Sequence, residues 1–481
     1  MSKPRISFLS ESEIEAIHDA SLRVLEKTGI KVMSEVALDI LKKAGAKVDY
    51  ETGHATLHRN LVEEALKMAP RTIKYCARNP KYDFILNKQE THFCAEGGSP
   101  FLLDWETGKR RYSTSADIAR CARIADYLDH FDLIWPLGTS SEVPAPVRYI
   151  VDMYTSLRNS EKHFEGDSTT AQEARYQIEI AAAIVGGREE LRKRPIFSHV
   201  ICTLAPLCYD KGMTEASIEL GRAGIPVAID PMPTAGGTGP ATLAGTMVVN
   251  NAEFLGGLVI QEFASPGAPV VYGTGVGTID FKTGSNIPSP EKSLMKLGLN
   301  QVAHYYELPR EMLVTSSTAA KVLDTQAGYE RAITILTQLS TTPDIALGSG
   351  TLEDGRITSM EELVIDNEII DYALRFIEGI EVNEDTLAVD IIDKVGPGGI
   401  YLGEKHTVQH FRERWMSRLS DISSYETWEK RGSRTIDEVA REKVREILAT
   451  HKVTPLPEDV DREISRILQR AETELLRSNC S

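Results

Sequence analysis

Between Thr91 and Gly379 the chain repeats one pattern eight times: a short apolar or β-branched run, a loop rich in Gly, Ser or Thr, and an amphipathic segment of helical length. Strands that alternate with helices pair in parallel, and eight such units close on themselves as a (β/α)₈ TIM barrel. The strand runs are HFCAEGG from His92, FDLIWPLGTSS from Phe131, KHFEGD from Lys162, IFSHVICT from Ile196, IPVAIDP from Ile225, PVVYGTGVG from Pro269, EMLVTSS from Glu311 and DIALGSG from Asp344. Each ends in small or polar residues, as expected where the C-terminal ends of barrel strands open into loops around a ligand.

A barrel uses roughly 250 residues, so 481 leave about one further domain's worth of chain, divided between the two ends. Residues 1–90 read as an N-terminal helical cap. In SESEIEAIHDASLRVLEKTGI, Ile14, Ile17, Leu22, Val24 and Leu25 fall close to one helical face, Ser10 or Ser12 can cap it, and Gly29 stops it. Residues 91–379 form the catalytic barrel, and residues 380–481 a C-terminal helical extension. No low-complexity linker sets the extension apart, so it should pack on the barrel.

A net charge of −16 repels phosphate backbones and argues against nucleic acid as a partner. The six cysteines show no CxxC pair, so they read as reduced thiols without zinc. No basic-then-apolar signal opens the chain, and no run approaches the ~20 apolar residues of a membrane span. A cytoplasmic protein with no membrane partner is expected, and a homo-oligomer.

Side chains that could serve chemistry gather at the strand ends: Glu96, Trp135, Glu165, His199, Asp230, Tyr272 and Lys321. Barrel interiors are ordinarily filled by aliphatic residues, so titratable or aromatic ones near the upper end point to a pocket. A shift of one residue in register would turn them to the outer face instead. The glycine clusters TAGGTGP, GTGVG and GSG fit neither the dinucleotide nor the P-loop spacing. Glycines that lower the rim for a large partner explain them better, with a phosphate cup at the seventh and eighth loops as the alternative. His406 and His410 in HTVQH share a helix face, but HExxH is absent and no third ligand lies nearby in sequence, so no metal is expected. Lys321 is placed to form a Schiff base, as in an aldolase, or to be an exposed loop lysine.

GGSPFLLDWETGKRR from Gly97, IDPMPTAGGTGPATLAGTMVVNNAEFLGGLV from Ile229, SPGAPVVYG from Ser265, LDTQAGYE from Leu323 and GPGGIYLGEKHTVQHFRERW from Gly396 occur in an order that resembles the trimethylamine methyltransferase (MttB-type) superfamily along nearly the whole chain. The resemblance implies a barrel that passes a methyl group from an amine to the cobalt of a separate corrinoid protein, so that the chain itself binds no cofactor and acts on its partner's cobalamin. Founding members carry pyrrolysine after the seventh strand. The matching stretch here is VTSSTAAKVLDTQAGYE, with ordinary Lys321, which makes the chain similar to the glycine betaine methyltransferases that act on quaternary amines. A quaternary nitrogen already carries the charge that makes a tertiary amine a tolerable leaving group, so no general acid is required and no catalytic side chain is assigned. Aromatic faces hold such a cation at ~0.5–2 kcal/mol each. Trp135, Phe164, Tyr209 and Tyr272 with Glu96, Glu165 and Asp230 are candidates for the cage, and Lys321, His406 and His410 for the donors to a betaine carboxylate. Two other readings stand beside this one: a Schiff-base lyase using Lys321, and a betaine-binding protein without chemistry.

Overall fold

Eight parallel strands close into a barrel in a computed structural model that describes residues 4–95, 97–313 and 318–478. They are β1 (His92–Ala95), β2 (Phe131–Ile134), β3 (His163–Gly166), β4 (Phe197–Ile201), β5 (Val227–Ile229), β6 (Val270–Gly273), β7 (Arg310–Leu313) and β8 (Ile345–Ser349). Each pairs with its neighbours in chain order, and β8 returns to β1 through Ile345 and His92. All eight runs expected from the sequence are strands, and a helix follows each.

Period-two alternation divides the strand residues. Cys94, Leu133, Val200, Ala228, Val271, Ile345 and Leu347 form one cluster inside the barrel, whereas Phe164, Phe197, Ile201, Val227, Ile229, Val270 and Tyr272 pack outward against helices. The hairpin of Ile73–Tyr75 and Phe84–Leu86 belongs to the interior cluster and closes the N-terminal end, with Tyr75 4.5 Å from His163 and Phe84 4.0 Å from His92 between ring centres.

The N-terminal cap is more than helical. Its helices Glu11–Lys27, Glu35–Ala44 and Arg59–Met68 pack on the long helix Leu243–Ala264, but Ile30–Val32, Lys47–Asp49 and His54–Thr56 also form a sheet, joined by Cys208–Tyr209 from the loop after β4. Strands of three residues are too short to show an alternation pattern in sequence. The first helix begins with the capping box of Ser10 and Glu13. At Gly29, with φ of +73°, a β-carbon would lie 2.3 Å from the Ala55 carbonyl, so only glycine can make this turn into the sheet.

Leu243–Ala264 is long and apolar enough to cross a membrane by length and composition, unlike anything anticipated from sequence. In its most apolar 18-residue stretch 72% is buried between cap and barrel, which is the ordinary reason for a helix apolar on all sides.

The C-terminal extension packs at its two ends. Ile436–Thr450 lies against Met360–Glu378 and Ser115–Tyr127, and Glu458–Ser478 against Ala171–Val185. Between them, the short helices Glu384–Leu387, Val389–Val395, Lys405–His410 and Tyr425–Lys430 bury no residue, and Ile400, Leu402, Val408 and Ile422 are largely exposed.

Candidate active site

At the C-terminal end the loops build their own structure. Phe101–Leu103 and Arg110–Tyr112 from the loop after β1 join Thr351–Leu352 and Ile357–Thr358 from the loop after β8 in a four-stranded sheet. Thr234–Ala235 and Gly277–Thr278 pair across the loops after β5 and β6. The rim is thus tied together on both sides of the opening.

Four carboxylic acids converge beneath this rim. Glu165 from β3 and Glu311 from β7 face into the barrel, Asp167 is two residues nearer the mouth than Glu165, and Asp230 follows β5. Burial pushes Glu165, Asp167 and Asp230 up to about 7. Glu311 is driven well above the carboxylate range by burial, then by the charges of Glu165 and Asp230. After its own desolvation, the Cys202 thiol is raised by the charges of Asp230, Asp167, Glu311 and Asp210. Opposite Asp230, Lys296 on the helix Pro290–Tyr305 partly offsets the effect of burial.

Below them runs a buried polar chain. His163 Nδ1 lies 2.7 Å from the Cys76 carbonyl oxygen, and its Nε2 lies 2.9 Å from Ser198 Oγ, which is 3.0 Å from Glu165 Oε1. A carbonyl only accepts, so Nδ1 carries the imidazole proton. Desolvation holds His163 down at about 3, so the ring is neutral and Nε2 accepts from Ser198. All three groups are then satisfied only when Glu165 is protonated and donates to Ser198 Oγ. Glu165 and Glu311 also meet each other, and the hydrogen bond between their carboxyls lowers Glu165 and raises Glu311.

Trp135 extends from the end of β2, where its N–H bonds to the Ala95 carbonyl at 3.1 Å and its indole Nε1 donates to Asp167 Oδ2 at 2.9 Å. A β-carbon at Gly97 would stand 2.4 Å from this indole, and one at Gly273 2.5 Å from Asp230 Oδ1. These glycines let backbone pass close to an aromatic and an acidic side chain of the mouth.

Of the residues proposed from sequence, Trp135, Glu165 and Asp230 come together here, and Glu96 lies outside the described residues. The rest do not join them. Tyr272 faces the helices: its hydroxyl donates to Asn251 Oδ1 at 3.0 Å and its ring packs 4.1 Å from Phe254. Phe164 is likewise outward, because it alternates with Glu165, and Tyr209 is buried in the cap sheet, donating to the Glu253 carbonyl. His199 follows the outward parity of Phe197 and Ile201, and desolvation holds it down at about 3. Lys321 is exposed in a loop, where its ammonium donates to the Ala319 carbonyl at 2.6 Å. It has none of the burial that activates a Schiff-base lysine. The described partners of His406 and His410 are Asp385 and Glu413, all within the C-terminal extension rather than at the mouth.

Asp167, Ser198, His163 and Glu311 are the residues that sequence reasoning passed over. The signal was available for Glu311 and Ser198, polar residues that share inward parity with Ala228 and Val271 across the strand pairing.

The family model for trimethylamine methyltransferase (MTTB) matches residues 1–475. The trimethylamine methyltransferase MttB of Desulfitobacterium hafniense strain DSM 10664 / DCB-2 is 33% identical over 466 residues, covering 97% of this chain and 94% of its own length. The glycine betaine methyltransferase of D. hafniense strain Y51 is also 33% identical, over 471 residues and 97% of both chains. Among solved structures, the monomethylamine methyltransferase MtmB of Methanosarcina barkeri shares the fold with a TM-score of 0.50 at 13% identity, over 92% of this chain and 99% of that one. With the barrel, its rim and a match along nearly its full length in evidence, the chain belongs to the trimethylamine methyltransferase family and is a methyltransferase.

Proposed function

We propose that this protein takes a methyl group from a quaternary amine, with glycine betaine as the expected donor, and delivers it to Co(I) of a corrinoid carried by a separate protein. The observation that carries the reading is the convergence of Glu165, Asp167, Asp230 and Glu311 with Trp135 at the barrel mouth. A desolvated acidic space beside an indole suits a fixed cation that cannot donate a hydrogen bond. Membership of a family that includes a glycine betaine methyltransferase supports the reading, as does ordinary lysine at position 321.

In the transfer the C–N bond breaks with its electron pair going to nitrogen, and the same carbon accepts a pair from Co(I). The products are a neutral tertiary nitrogen, which is dimethylglycine from glycine betaine, and a methylated corrinoid. No proton moves. Positive charge leaves the nitrogen, so a fully ionised cage would hold the starting cation more firmly than the transition state and slow the step. Burial opposes ionisation of these acids and so limits this penalty while they still orient the ammonium. Asp167 and Trp135 lie nearer the mouth than Glu165, so a methyl held against them faces the opening through which a cobalt would approach. The exposed Ile400, Leu402, Val408 and Ile422 support self-association as well.

Purified protein mixed with free cob(I)alamin and a panel of amines tests the proposal. Glycine betaine should produce the absorbance change to methylcobalamin, and trimethylamine should not. Equal turnover of the two would remove the quaternary preference, and no turnover of any quaternary amine would overturn the reading.

A further inference from the structure

In sequence, His406 and His410 have no third partner within reach; the fold supplies one from 21 positions before His406. Asp385, in the helix Glu384–Leu387, brings its carboxylate to His406 and His410 on the helix Lys405–His410, and one ligand atom from each of the three lies within 4.8 Å of the others. His410 Nε2 is 3.3 Å from Asp385 Oδ2, and the two imidazole rings are 4.3 Å apart between centres. Zinc bonds of about 2.0–2.1 Å in a tetrahedron put neighbouring ligand atoms about 3.3 Å apart, so the His410–Asp385 edge already has the required length. His406 Nε2 lies 3.2 Å from the Asp385 backbone carbonyl oxygen, to which it donates, so this nitrogen gives up that proton and contact when it takes a metal.

A second, independent contact orients the set. His410 Nδ1 lies 2.8 Å from Glu413 Oε1. A carboxylate on Nδ1 fixes the proton there and leaves the Nε2 lone pair directed at Asp385, the arrangement by which outer carboxylates orient metal-bound histidines. The surroundings also call for a cross-link. Helices of four to seven residues do not persist in water by themselves, yet those of Glu384–Leu387, Val389–Val395 and Lys405–His410 bury no residue against the rest of the fold.

We propose that Asp385, His406 and His410 bind a divalent transition-metal ion of the zinc class, with Glu413 orienting His410, and that this ion pins the exposed middle of the C-terminal extension. Two nitrogens and one carboxylate oxygen suit a borderline cation such as Zn(II) or Co(II) and leave one tetrahedral position for water or a ligand from another chain. The site is separate from the methyl-transfer chemistry, which needs no metal of the protein's own.

The full-length protein, stripped with chelator and dialysed, is titrated with Zn(II) and with Co(II). One equivalent should bind, Co(II) should show the visible absorption of a tetrahedral site, and Zn(II) should slow proteolysis between residues 380 and 413. The double variant His406→Ala/His410→Ala and the single variant Asp385→Asn should each lose the absorption, and Glu413→Gln should weaken binding about 10-fold or more. The side chains are at least partly exposed, so these variants fold. If the parent takes up no metal, or binds it no more tightly than the double variant, the cluster is an ordinary group of ion pairs and the proposal is overturned.

Discussion

Glu165 Oε1 stands 3.0 Å from Ser198 Oγ inside the barrel, and the neutral His163 on the far side of that hydroxyl leaves Glu165 as the proton donor. Glu165→Gln places a permanent N–H donor where the carboxylic O–H stands. It should fold within about 1 kcal/mol of the parent, whereas Ser198→Ala strands two buried polar groups and should cost ~1–3 kcal/mol. Chemical denaturation of the two variants measures both. A Glu165→Gln protein less stable than Ser198→Ala would mean that Glu165 is ionised in the fold.

Through Glu165, Asp167 and Asp230 stability should fall as pH rises from about 4.5 to 7, against a smaller opposing gain below about 6.5 from the buried neutral His163 and His199. Glu165, Asp167 and Asp230 ionise near 7 in the fold but near 4 in the unfolded chain. Across that window the unfolded state releases protons that the native state retains, and the balance shifts toward unfolding. Below it both states are protonated, and above it the loss is complete. A bound cation favours the ionised acids, so the rise in Tm caused by glycine betaine should be larger at pH 8 than at pH 6. Thermal melts with and without ligand check both signs.

Trp135 should carry much of the grip on the ammonium. Trp135→Ala should raise KM for glycine betaine by about 2–30-fold, the equivalent of ~0.5–2 kcal/mol of cation–π attraction. Trp135→Phe keeps an aromatic face but loses the hydrogen bond to Asp167, so it should fall between parent and Ala. Steady-state kinetics with cob(I)alamin distinguish the three.

Tyr272→Phe and Lys321→Ala should leave KM for betaine within about twofold of the parent, as substitutions away from a site generally do. The Tyr272 variant should lose ~0.5–1.5 kcal/mol of stability with its bond to Asn251. Borohydride treatment with a carbonyl substrate should leave Lys321 unmodified in mass spectrometry.

The barrel was legible because its evidence is distributed: eight apolar runs, eight helical segments and small residues at each strand end reinforce one another. The site was legible only in part, because parity decides it one residue at a time. Glu165 and Phe164 are adjacent in KHFEGD, yet one faces the ligand space and the other the helices. Tyr272 looked like a cage residue by composition, but strand β6 turns Val271 inward and Tyr272 out. Asp167 gave no such cue, since its role depends on a tryptophan 32 positions earlier. His406 and His410 stood out as a pair, and only the fold shows that their partners are Asp385 and Glu413.

The sheet over the mouth joins the first strand-to-helix loop to the last: Phe101 pairs with Ile357, and Leu102 with Thr358. Such long-range contacts are among the slowest to form, because a large stretch of chain must be ordered before they close. A growing chain on the ribosome therefore has no finished entrance until the eighth strand and its loop have emerged. A nascent or truncated copy ending before residue 357 lacks one edge of the opening, so premature products should be unable to sequester betaine or to offer a corrinoid partner a complete docking rim.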